Sequence, residues 1–208
     1  MKPDQFNIRH LAAMAAVVEL GSVSLAARAV NLTQPAVTQG IAKLEAQLGL
    51  PLFARQPGGM VALEPAERLK PRIDAALRLI GSNRVTAAQV RAFVALARGG
   101  SYAAAAVATG VAEPSLHRAV GDLGLALGQR LVDRRGRGVM LTRAGTVLAQ
   151  RLRLALAELR QGLEDLADLC GQEGGRILVG AMRLSRAPDP RCDRPLSRRF
   201  PAGRHQRA

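Results

Sequence analysis

Gln34, Pro35, Thr38, Gln39 and Lys43 are spaced to share the outward face of one helix, and the polar side chains among them are those of a reader of base edges. A glutamine amide suits a two-bond contact with adenine, threonine offers a hydroxyl and a methyl, and lysine offers a phosphate contact. Thr33 is a good cap for a helix beginning Gln34-Pro35, because proline is tolerated in a helix's first turn. Val37, Ile41, Leu44 and Leu48 recur at helical spacing and belong to the opposite, buried face. Upstream, Ser24 is placed to cap a short helix through Ala26, Ala27 and Val30, and Asn31 suits a left-handed turn. Two helices joined by a tight turn, the second with an outward polar set, form a helix-turn-helix whose second helix enters the major groove.

The stretch GSVSLAARAVNLTQPAVTQGIAKLEAQLG, residues 21–49, resembles the helix-turn-helix of LysR-type transcriptional regulators. Ile8-Arg9-His10-Leu11 resembles the opening of that family's DNA-binding domain, and Pro51-Leu52-Phe53-Ala54-Arg55 the start of its wing. The resemblance implies base and phosphate contacts by Thr33, Gln34, Pro35, Thr38 and Gln39, supported by Arg28 and Arg55, with Lys43 on the same outward face. One departure is Gln39-Gly40 where the family carries Arg or Lys; an interior glycine costs a helix about 1 kcal/mol against alanine.

Composition fits a duplex-DNA partner. The 208 residues hold 30 Lys+Arg against 16 Asp+Glu, a formal charge of +14. Charge of that sign favours nucleic acid, although the dominance of arginine and alanine also fits a GC-rich coding sequence. Phe6, Phe53, Phe93, Tyr102 and Phe200 are too scattered to build a stacking platform for single strands. The apolar run Leu11–Val18 is far shorter than the roughly 20 residues of a membrane span, and MKPDQFN lacks a signal peptide's apolar core. Cys170 and Cys192 have no metal-ligand neighbours. A cytoplasmic, non-enzymatic protein without cofactor is expected. His10, His117 and His205 are far apart, and Gly136-Arg137-Gly138 lacks the third glycine and preceding strand of a dinucleotide site.

A repeat search doubles the architecture. Sliding the chain by 79 residues aligns 11–55 with 90–134, matching Gly21-Ser22 to Gly100-Ser101, Ala26-Ala27 to Ala105-Ala106, Pro35 to Pro114, Leu48-Gly49 to Leu127-Gly128 and Arg55 to Arg134. Matching Val61-Ala62-Leu63 to Val139-Met140-Leu141 implies a one-residue slip in the second wing. The second recognition helix, Glu113 to Leu127, has Glu113 for Gln34 and Asp122 for Lys43, which disfavours phosphate. His117 and Arg118 lie on its outward side, and Arg134, Arg135 and Arg137 lie in its wing. Residues 87–149 carry eight arginines against three carboxylates, net +5. The second copy either touches DNA, mainly through its wing, or serves packing and dimerisation.

The expected fold is mainly α: two tandem winged helix-turn-helix domains with short two-stranded wings, then a long linker or dimerisation helix and a disordered tail. The expected divisions are a first domain at 1–63, a connecting helix and linker at 64–85, a second, diverged domain at 86–142, and a linker helix at 143–172. An orphan strand of a truncated effector domain at 173–182 and a disordered basic tail at 183–208 follow. In the connecting segment Leu69, Ile73, Leu77 and Ile80 form an apolar stripe, and Pro65 and Pro71 restrict where its helix begins. In 143–172, Leu152, Leu159 and Leu166 repeat at heptad spacing, with Ala149, Leu156, Leu163 and Cys170 as a second row. The resemblance implies a homodimer paired through this helix, with Leu152, Leu156, Leu159, Leu163 and Leu166 at the seam. The alternative is that these leucines pack back onto the second domain.

The tail, eight arginines against two aspartates with four prolines from residue 183 onward, is read as out of frame relative to an ancestral effector domain. A small-molecule effector is therefore not expected. Two functions follow: a sequence-specific, double-stranded DNA-binding transcriptional regulator, or a truncated interaction module that dimerises with and titrates a full-length regulator.

Overall fold

A computed structural model describes residues 5–56, 59–135 and 138–169, with the side chains of Arg134 and Arg135 outside that description. The first copy runs α1 (Ile8–Leu20), α2 (Val23–Ala29), α3 (Gln34–Leu48), β1 (Phe53–Gln56) and β2 (Gly59–Ala62). Then come α4 (Glu64–Ile80), α5 (Ala87–Gly99), α6 (Tyr102–Thr109), α7 (Glu113–Leu127), β3 (Val132–Arg135), β4 (Gly138–Leu141) and α8 (Arg143–Leu169). The sequence 143–172 thus yields a helix to Leu169; Cys170, the strand expected at 173–182 and the tail expected at 183–208 lie outside the described residues.

Caps explain most helix starts. Asn7 accepts a hydrogen bond from the Arg9 amide at 2.9 Å, and Thr33 from the Ala36 amide at 3.3 Å, so each satisfies a donor the helix cannot. Thr86 and Gln89 form a reciprocal capping box. The cap of α2 is Ser22, whose hydroxyl accepts from the Leu25 amide at 3.4 Å. Ser24, the expected cap, lies inside the first turn: extended backbone at Ser22 (φ −144°, ψ 126°) starts the helix at Val23. Asn31 takes the left-handed conformation expected of it, at φ 56°. In the second copy Ala112 stands where Thr33 stands in the first, and α7 begins with no side-chain cap.

The two wings are antiparallel hairpins of equal length. Phe53 pairs with Ala62 and Gln56 with Gly59; Val132 pairs with Leu141 and Arg135 with Gly138. Every pair is displaced by the same 79 residues, so the one-residue slip expected in the second wing does not occur. Val61 corresponds to Met140, and Ala62 to Leu141; a slip would have moved each strand's side chains to the other face. The apolar resemblance of VAL at 61–63 to VML at 139–141 imitates a shifted register.

Each copy builds its own core. Leu11, Met14 and Val17 of α1 meet Val37, Ile41 and Leu44 of α3, and Phe93 and Leu96 of α5 occupy the same role beside Leu116, Val120 and Leu123 of α7. Gly40 is in the buried side of α3 because α1 crosses it there: a Cβ at this position would lie 3.0 Å from the His10 ring. The interior glycine therefore permits close helix approach.

The largest contact between elements joins α4 to α8. The helix α4 begins at Glu64 and runs through Pro71 without a break. Its buried residues Leu69, Ile73, Ala76 and Ile80 have the 79-residue counterparts Leu148, Leu152, Ala155 and Leu159, which are buried residues of α8. Leu152, Leu159 and Leu166, expected to face a second subunit, are 0, 5 and 3% exposed within this one chain, while Leu156 and Leu163 are half-buried. The cause is direct: α4 supplies the apolar face that the leucine seam needs. Packing back onto the second domain, the alternative expectation, is only partly met, since the main partner is the connecting helix, with α5 a smaller one.

The pair is antiparallel. Arg72 reaches Glu158 at 3.1 Å and Asp165 at 3.2 Å, while Arg151 donates to the Arg78 carbonyl at 3.3 Å. Half-exposed ion pairs of this kind are each worth about 0–1 kcal/mol and fix register more than stability. Gly162 marks the tightest approach, where a Cβ would lie 2.7 Å from Leu69 Cδ1 and 3.2 Å from Arg72 Cβ. Gly162→Leu is expected to wedge the helices apart and destabilise the fold by about 1–3 kcal/mol, the usual range for overpacking, measured as a lowered denaturant midpoint.

Candidate nucleic-acid interface

The N-terminal half of α3 and the first wing enclose an open cleft of about 620 Å³. Gln34, Pro35, Thr38 and Gln39 line one side, and Arg55, Gln56, Gly59 and Met60 the other, with Val23 of α2 at the edge. Gln34, Pro35, Gln39 and Arg55 are exposed, and Thr38 is half-buried. Thr33 is exposed at the helix start with its hydroxyl committed to the cap. Arg28 on α2 and Lys43 further along α3 are exposed but do not line the cleft. Among the described residues, Arg28, Lys43 and Arg55 enter no ion pair with a carboxylate, which leaves their charges available to an anionic partner.

Glu45 fixes the angle between the two walls. Its Oε1 accepts from the Leu52 amide at 2.8 Å and the Phe53 amide at 3.1 Å, tying the last turns of α3 to the first residues of the wing. No periodic or motif signal in the sequence singles out this carboxylate. Glu45→Ala would leave two partly buried amides without their acceptor. The expected cost is about 1–3 kcal/mol, with faster hydrogen exchange at Leu52 and Phe53 than elsewhere in the domain.

Behind the reading face, His10 packs against Gly40. Burial, and then the nearby Lys43 charge, lower its pKa from the ordinary 6.5. The unfolded chain thus binds this proton at higher pH than the folded one does. The contribution is fully present above about 6.5 and is lost as pH falls from there toward the folded value. His10→Leu is expected to flatten the acid side of the stability curve, measured by denaturant midpoints between about pH 5 and pH 8.

The second copy presents a different face. Tyr102 and His117, counterparts of Val23 and Thr38, stack with ring centroids 3.5 Å apart and an interplanar angle of 25°. Burial raises the Tyr102 pKa above 10.0, so the phenol stays neutral. Arg118, Glu113 and Asp122 are exposed, and Val107 replaces Arg28 at 89% exposure. The exposed Arg130 is paired with Asp133 at 2.7 Å. Arg134 and Arg135 lie on β3, opposite Val139 and Gly138, and Arg137 is outside the described residues. His117 and Arg118 are thus brought together on α7, but the face lacks two of the first copy's cations.

Among the described residues, no cluster of three or more His, Cys, Asp or Glu is placed to hold a metal ion, and no helix is long and apolar enough to cross a membrane.

The family model described as bacterial regulatory helix-turn-helix protein, lysR family, matches the chain twice, over residues 8–67 and 87–146. Among curated relatives, the HTH-type transcriptional regulator GalR of Pseudomonas putida is 32% identical over 194 residues, covering 87% of this chain and 49% of its own length. A match over so much of the chain runs through both copies. The HTH-type transcriptional regulator MetR of Haemophilus influenzae is 46% identical over 69 residues, 33% of this chain and 22% of that protein. The uncharacterized HTH-type transcriptional regulator YfeR of Shigella flexneri is 34% identical over 114 residues, 54% of this chain and 37% of that protein. The chain therefore spans about half the length of GalR and less of the other two. With two family matches covering more than half of its residues, each coinciding with a winged helix-turn-helix, this chain belongs to the lysR family of bacterial regulatory helix-turn-helix proteins.

Proposed function

We propose that the chain is a sequence-specific, double-stranded DNA-binding transcriptional regulator in which the first copy reads bases. The observation that carries this is the cleft joining Gln34, Pro35, Thr38 and Gln39 to Arg55 across the helix and wing. Inserted in the major groove, α3 offers two exposed amides to base edges at its N-terminal half, where groove readers make their base contacts. Arg55, Arg28 and Lys43 surround that set and supply phosphate contacts, which position the helix without reading sequence. In this reading the chain divides at 1–63, 64–85 and 86–142, which is supported by wings that end at Ala62 and Leu141, just before α4 and α8 begin.

Regulation through a homodimer seam at Leu152, Leu159 and Leu166 is not part of this reading, because those side chains are buried against the chain's own α4. An interaction module that titrates a longer relative, the alternative reading, would need a surface other than these three leucines. Small-molecule sensing concerns residues beyond 169, outside the described residues.

The test is selection from a random duplex pool at rising salt, followed by sequencing of the retained DNA. A motif that persists near physiological salt supports base reading. Retention that disappears with salt and leaves no motif means only arginine–phosphate contact, and the reading fails.

A further inference from the structure

A C2 interface has a signature: residue i of one partner meets residue j of the other, and j meets i. The α4–α8 contact carries that signature inside one chain. Arg72 and Arg151 are counterparts under the 79-residue repeat, and each crosses to the C-terminal half of the opposite repeat helix. Arg72 meets Glu158, the counterpart of Leu79, while Arg151 meets the carbonyl of Arg78 and lies against Gly81. The buried rows of the two helices are also counterparts, and each helix packs on the first helix of its own copy, α4 on α1 and α8 on α5.

Resting on the DNA reading above, we propose that the tandem copies form a built-in pseudo-dimer, so that a single chain engages two neighbouring segments of one duplex with unequal heads. The inequality is chemical. The first face presents Arg28, Gln34 and Lys43; the second presents Val107, Glu113 and Asp122 at the same positions, and a stacked Tyr102–His117 pair replaces Val23 and Thr38. The first head reads bases. The second, coupled to it through α4 and α8, holds the adjacent segment through Arg118 and its wing without comparable base readout. The site is therefore asymmetric, with one specified half.

The experiment has two arms. In the first, Arg72→Cys with Gly162→Cys, in a Cys170→Ser, Cys192→Ser background, is oxidised. Gly162 would carry its Cβ 3.2 Å from that of Arg72, close to the roughly 3.5–4.5 Å of a disulfide. A cross-linked monomer is expected; a covalent dimer overturns the intrachain pair. Should that variant not fold, sedimentation of the unmodified chain decides the same point: monomer mass supports the pair, dimer mass overturns it.

The second arm measures the mass of the complex on the selected duplex and its footprint. One chain per duplex is expected, protecting two segments about one helical turn apart, with sequence preference in one. Randomising the second segment should cost only a few-fold in affinity, and deleting it about tenfold or more, as loss of several phosphate contacts requires. Two chains on a symmetric motif would overturn the pseudo-dimer and leave base reading intact. A cross-linked monomer with no sequence preference would overturn the base reading, and the two-segment proposal with it.

Discussion

Replacing Gln34 and Thr38 together by alanine is expected to remove sequence-specific DNA binding while leaving the fold in place. Both line the cleft, Gln34 is exposed and Thr38 half-buried, and neither side chain has a hydrogen-bond role in the fold among the described contacts. A two-bond amide contact to a base contributes about 1–3 kcal/mol of discrimination, and a hydroxyl contact somewhat less. The pair should therefore cost about 2–4 kcal/mol, or roughly 30- to 1,000-fold in affinity for the selected sequence. Affinity for scrambled duplex should change little, because Arg28, Lys43 and Arg55 remain. Titration of both duplexes with the double variant checks this, and its thermal midpoint should stay close to that of the parent. An equal loss on both duplexes would mean that the pair had not been reading bases.

Leu152→Ala is expected to have the largest effect on stability. Leu152 is fully buried at the α4–α8 contact, and its counterpart Ile73 is equally buried on the other helix. Removing a buried leucine side chain leaves a cavity between two helices that are already held close at Gly162, and the cost is about 2–5 kcal/mol. Because this contact joins the copies, the loss should appear as earlier separation of the two domains: α4 and α8 amides exchange faster, while α1 and α5 retain more of their protection. A variant that unfolds with the parent's midpoint would show that the contact contributes little.

Much of the candidate interface was legible in the sequence because its parts are local. The Thr33 cap, the left-handed Asn31 and the buried row Val37, Ile41 and Leu44 each depend on a few neighbouring residues, and the structure has all of them. The repeat was legible for the same reason, since matched pairs such as Pro35 and Pro114 hold at one spacing. What escaped was long-range. A heptad row in 143–169 says that a partner is needed but not which one, and the partner is a helix about eighty residues earlier. Glu45 carries no periodic signal because its task, receiving the Leu52 and Phe53 amides, is defined only once the wing has folded back. Gly40 reads as a weakness in a helix; the crossing of α1 at His10 turns it into a requirement. The wing slip and the Ser24 cap were errors of one or two residues, the distance over which short apolar runs and adjacent serines give no discrimination.

The doubled architecture changes what a mutation in one copy should do. In a symmetric homodimer every substitution is made twice, whereas here the first and second faces vary independently, as Gln34 against Glu113 and Lys43 against Asp122 illustrate. If the proposal holds, base reading and anchoring should therefore be separable by single substitutions in one chain.

The most direct measurement of the central claim is hydrogen exchange of the full chain with and without its selected duplex. Slowed exchange at the start of α3 and along the first wing, with α4 and α8 unchanged, is the predicted result. Protection confined to the second copy, or spread evenly over all exposed helices, would contradict a base-reading face built from Gln34, Thr38, Gln39 and Arg55.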